Sequence, residues 1–127
     1  MDQKNNDSRT SNEYNPGRLL ISDQVNRSAM ILIPKVPYYL WVSCLPEQDK
    51  KIHRTVPEIY LLPRFDSWIK EEHYIMENFE LFFRDILLTW RTDRDRWPVN
   101  RTYDMFCEWF EINIFSSVFD LSDDPLN

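Results

Sequence analysis

Only one glycine, Gly17, occurs in the 127 residues, and it lies in a polar N-terminal stretch. Average usage of about 7% would supply roughly nine. The shortage excludes a P-loop, which needs several glycines so that backbone N–H groups can approach phosphate. It excludes a dinucleotide fingerprint, which needs three. A G-x-S-x-G nucleophile elbow is excluded on the same ground. Cysteine is nearly as scarce: Cys44 and Cys107 stand far apart in the sequence and form no disulfide framework. Both sit in apolar surroundings and read as buried, reduced thiols. Long hydrophobic runs are missing too. No stretch approaches the ~18 apolar residues of a membrane span, and residues 1–7 lack the apolar core of a signal peptide. The expectation is a cytoplasmic protein with no membrane association.

Positive charge is in deficit. There are 15 basic and 21 acidic residues, for a net charge of −6, which does not favour polyanion binding by the chain as a whole. The distribution is uneven. From Asp104 onward six acids (Asp104, Glu108, Glu111, Asp120, Asp123, Asp124) meet no Lys or Arg. Four arginines (Arg91, Arg94, Arg96, Arg101) crowd a short stretch that also holds Trp90 and Trp97.

Aromatic residues, by contrast, are plentiful: five Trp, six Tyr and eight Phe. A chain of this length buries about two-thirds of its unfolded surface, so a core can form without disulfide or metal. The expected organisation is a disordered polar tail over 1–24 and one domain over 25–127.

Within that domain Ala29–Ile33 is an apolar run closed by Pro34, which reads as a buried strand. Pro37 fits the start of a short helix carrying Tyr38, Leu40, Trp41 and Leu45, ending before Pro46. Ile59–Leu62, closed by Pro63, is a second strand. The helix-bearing connection between them is long enough for a right-handed parallel crossover. Trp68, Ile75, Phe79, Phe82, Ile86 and Trp90 recur at mostly three- and four-residue spacings. They predict a long helix over 67–91, capped by Asp66 or Ser67. Thr102 is a good N-cap for a helix to about Glu111. Residues 112–121, apolar on both sides, predict a strand covered on both faces. The order β-α-β-α-α-β gives an α+β fold, a small sheet of about three strands with two or three packed helices.

Three blocks carry a resemblance. They are Val25-Asn26-Arg27-Ser28-Ala29 with Pro34-Lys35 and Trp41, then Ile59-Tyr60-Leu61-Leu62-Pro63, then Trp97-Pro98 with Arg101, Phe106, Trp109-Phe110-Glu111 and Asp120-Leu121. Together these resemble a family of small uncharacterised bacterial proteins, over most of the chain after residue 24. The family has no established activity. The resemblance therefore implies a bacterial cytosolic protein and brings no catalytic residue.

The chemistry-bearing residues form two groups. Arginine forks bind phosphate or carboxylate bidentately, and tryptophan faces stack bases or hold cations. Arg91, Arg94, Arg96, Trp97 and Arg101 are therefore candidates for a partner- or anion-binding site. The competing reading pairs these arginines with Asp93, Asp95 or the acidic C-terminal segment. Asp104, Glu108 and Glu111, spaced four and three apart, would share one helix face and meet a basic partner. Catalytic and metal signatures are weak. His53 and His73 lack recognised ligand spacing, and His73 with Glu77 reads as an ordinary helix-surface pair. No catalytic residue, metal ligand or cofactor is assigned. The leading expectation is a non-catalytic protein-interaction or regulatory module that binds a protein partner or self-associates. Nucleic-acid or phosphoryl-ligand binding through Arg91–Arg101 is the first alternative. A small enzyme with an unrecognised acid–base site, at His73 or Glu108, is the second.

Overall fold

A computed structural model describes residues 23–47, 57–90 and 93–126. The chain forms two compact units, Met1–Asn26 with Ser117–Asn127, and Arg27–Ser116. In the first, Gln24 bridges Phe119 in antiparallel fashion. The Val25 N–H donates to the Val118 carbonyl at 2.8 Å, and the Asp120 N–H to the Asp23 carbonyl at 2.8 Å. Among the described residues, the second unit holds the three strands and the three α-helices.

Its order is strand β1 (Arg27–Pro34), helix α1 (Val36–Ser43), strand β2 (Glu58–Pro63), helix α2 (Trp68–Trp90), helix α3 (Tyr103–Trp109) and strand β3 (Phe110–Phe115). A 3-10 turn, Arg94–Arg96, lies between α2 and α3. This is a small α+β fold with the element order that the apolar runs and prolines predict. The three strands form one antiparallel sheet, β2-β1-β3. The parallel crossover between β1 and β2 is not used. Eight helical residues advance only about 12 Å, whereas an eight-residue strand spans about 26 Å. Helix α1 alone cannot return the chain along β1. It is fastened instead near α3: the Lys35 N–H donates to the Trp109 carbonyl and the Lys35 ammonium to the Cys107 carbonyl, at 2.8 and 2.9 Å.

The caps follow the sequence. The Ser67 hydroxyl accepts from the Lys70 N–H, and the Thr102 hydroxyl from the Met105 N–H. Asn100 takes φ of 54°, the left-handed conformation that a glycine would otherwise fill.

Side chains alternate across the sheet. On one side Met30, Leu32, Leu62 and Phe110 are buried with Tyr38 of α1, Ile75, Phe82, Phe83, Ile86 and Leu87 of α2, and Phe106 and Trp109 of α3. Phe83 is at the centre of an aromatic cluster, with ring centroids 5.3–5.9 Å from Phe106, Trp109 and Phe110. Each such ring contributes about 1.5–3 kcal/mol by leaving water.

Three expectations are corrected. Strand β3 runs over Phe110–Phe115 rather than 112–121: it starts where α3 gives way to extended backbone at Phe110, and its pairing with β1 ends at Ala29–Phe115. Its two faces are not both covered: Phe115 is 51% exposed. The cysteines are free, but Cys44 is exposed and Cys107 only half-buried. Cys44 caps the C-terminus of α1, beyond the helical turns that pack inward.

Candidate functional site

The arginine-rich turn is built inward. Trp97 follows the 3-10 turn and is 5% exposed, within the core. The guanidinium carbons of Arg94 and Arg101 stand 5.2 and 5.5 Å from its ring centroid, within cation–π range. Arg101 is committed further. Its Nε donates to Glu80 Oε1 at 3.0 Å, one Nη to Glu80 Oε2 and the other Nη to the Pro98 carbonyl at 2.8 Å. A guanidinium fork placed two-on-two against a carboxylate fixes angle as well as distance. The turn is also tied to α1, since Trp41 Nε1 donates to the Arg96 carbonyl at 2.8 Å.

Of the five residues expected to bind an anion or partner, Trp97 and Arg101 are thus engaged internally. Arg94 and Arg96 are exposed at the turn, and Arg91 lies outside the described residues. The acid that holds Arg101 is Glu80 in the middle of α2 rather than Asp93, Asp95 or the C-terminal acids. Its sequence signal was faint: a lone carboxylate between the apolar neighbours Phe79 and Leu81.

The acidic face is divided. Asp104 and Glu108 are exposed on α3, one turn apart. Glu111 is not on that helix. It is in β3, opposite Ile33, because Phe110 already adopts extended backbone (φ −137°, ψ 140°). His73 and Glu77 pair across one helical turn at 3.3 Å, both more than half exposed. They line a shallow groove with Phe65, Ile69 and Tyr74. His53 lies outside the described residues. Among the described residues no group of three or more His, Cys, Asp or Glu is gathered to hold a metal ion. No described helix is long and apolar enough to cross a membrane.

The surface that sequence reasoning missed is the other side of the sheet. There Leu61, Ala29 and Phe115 form one cross-strand row, and Ile59, Ile31 and Asn113 the next. Ile59 is 65% exposed and Leu61 48%. The buried faces of all three helices join the opposite side. An antiparallel sheet open on one face ordinarily turns polar residues outward, so one apolar row and a second broken only by Asn113 are informative there. The signal was present as the unbroken run Met30–Ile33, which reads equally as a strand buried on both faces. Arg27 stands at one end of this face and Glu111 at the other.

Searches of family models, curated proteins and solved structures found no match to this chain. The resemblance carried by the Trp, Pro and apolar blocks therefore assigns no role to any residue, and the function is argued from geometry alone.

Proposed function

We propose that the chain is a non-catalytic protein-interaction module that associates with a second copy of itself through the open face of its sheet. The observation that carries this reading is the apolar patch of Ala29 and Ile31 flanked by Ile59, Leu61 and Phe115, interrupted only by Asn113. Two sheets packed face to face interdigitate such rows at about 10 Å. A two-fold axis lying between the two faces and running across the strands sets the Arg27 end of one copy against the Glu111 end of the other. The face is then complementary to itself in charge as well as in apolarity, as an isologous interface requires. A bacterial cytoplasmic setting belongs to the same reading and rests on the sequence.

Sedimentation velocity from low to high micromolar concentration tests it. The wild-type chain is expected to dimerise, and an Ile59→Lys/Leu61→Lys variant to remain a folded monomer. Arg27→Glu is expected to weaken the dimer, and Arg27→Glu with Glu111→Arg to restore it. A wild-type chain that stays monomeric throughout overturns the proposal.

A further inference from the structure

The N-terminal end of α2 carries a second surface, chemically unlike the sheet face. A groove of about 240 Å³ lies between α2, α3 and β3. Its floor is Ile75, Ile112 and Ile114, and its aromatic walls are Trp68 and Tyr103. It continues, through Trp68, Glu71 and Ile114, into a hollow that reaches Asp66. Trp68 is 71% exposed. The other four tryptophans of the chain are buried or half-buried.

The charge lining this groove has one sign. Glu71 and Glu72 line it, and no Lys, Arg or His does. The nearby Lys70 is paired with Asp66 at 3.1 Å. Among the described residues neither Glu71 nor Glu72 has a salt-bridge partner. The α2 N-terminus adds the equivalent of about half a positive charge, which two full carboxylate charges outweigh. Tyr103 contributes a neutral ring. Burial, the hydrogen bond and charge of Cys107, and the Glu72 carboxylate push its hydroxyl up to about 12 from its usual 10.0. The ring is propped by Phe79 and Phe106, with centroids 6.0 and 6.4 Å away.

We propose that this groove binds a lysine or arginine side chain presented by a basic segment of a partner protein. The aliphatic stem would lie over Ile75, Ile112 and Ile114 while the charged head meets Trp68 and the carboxylates, the division of labour that long basic side chains favour. A cation over an indole face gains from the ring quadrupole, and arginine gains stacking in addition. An apolar occupant fits the floor but strips water from Glu71 and Glu72 without replacing it, which is costly. A neutral side chain of equal length is therefore the discriminating control.

The experiment uses the ¹⁵N-labelled full chain and three blocked Gly/Ser peptides that differ only in a central arginine, lysine or norleucine. The Trp68 indole N–H resonance, assigned by its loss in Trp68→Phe, reports binding. The arginine and lysine peptides are expected to shift it saturably and less at high salt, and the norleucine peptide to leave it in place. Glu71→Gln with Glu72→Gln is expected to weaken binding about tenfold or more, equivalent to at least ~1.4 kcal/mol. All three substituted positions are at the surface, and each variant's amide spectrum confirms its fold. Equal binding of the norleucine peptide, no shift at millimolar peptide, or shifts centred on Asp120–Asp124 instead of Trp68 would each overturn the proposal. None of these outcomes depends on the sheet face, so the two proposals fail independently.

Discussion

Helix α2 begins and ends with a tryptophan, and its two ends are finished in opposite ways. At the C-terminal end Trp90 Nε1 donates to the Tyr38 hydroxyl at 2.6 Å. The following turn buries Trp97, places Arg94 and Arg101 over its ring, and closes Arg101 onto Glu80. At the N-terminal end Trp68 lies open beside Glu71 and Glu72. In sequence the first region looks functional, since arginines and tryptophans alternate there. In space it is a clasp, with Arg94 and Arg101 facing an indole and Arg101 a carboxylate of the same chain. The second region attracts little notice in sequence but leaves its aromatic face and charges directed outward. Residue type alone does not separate a binding site from a fastening; what separates them is whether partners within the chain already satisfy the groups.

The largest expected effect lies on the fastened side. Trp97→Ala removes a core ring and the surface under two guanidinium groups. It is expected to cost about 3–5 kcal/mol, read as a lower urea midpoint at unchanged m. A loss under ~1 kcal/mol would mean that the turn is not a clasp, and the comparison would collapse. Next comes Arg101→Ala, which leaves Glu80 without its fork and the Pro98 carbonyl without its donor. The expected loss is about 1.5–3 kcal/mol, moderated by the partial exposure of the pair. Arg101→Lys should recover little of it, because a single ammonium cannot reproduce the guanidinium fork on Glu80 Oε1 and Oε2. A double-mutant cycle with Glu80→Gln isolates the pair. A coupling near zero would assign the loss to packing on Trp97 instead.

Much of this architecture is legible from local rules. The spacing of Ile75, Phe79, Phe82 and Ile86 predicts α2, and Ser67 and Thr102 cap where their side chains can reach backbone N–H groups. Pro34 and Pro63 close β1 and β2. What local rules miss is set by pairing at a distance. The antiparallel register and the bounds of β3 depend on which residues of β1 it pairs with. Arg101 finds Glu80 across 21 positions, past the nearer Asp93 and Asp95. Trp68 continues the apolar spacing of α2, yet that spacing gives only a direction around the helix and not what lies opposite. The same limit hides the open sheet face, since Ile31 and Ile33 look no different from Met30 and Leu32 until helices cover one side alone.

The smallest expected effect sharpens the comparison most. Trp68→Ala deletes a residue of the same type as Trp97 from the same compact unit, but from a surface where it is mostly in water. Its cost to folding should fall within about 0.5 kcal/mol of zero. A tryptophan kept exposed adds little to folding and adds to the hazard of non-specific association, so near-neutrality would point to selection for contact with something outside the chain. If Trp68→Ala instead destabilises the fold by ~2 kcal/mol or more, its ring is a wall of the core, both ends of α2 are fastenings, and the groove loses its claim to be a recognition surface.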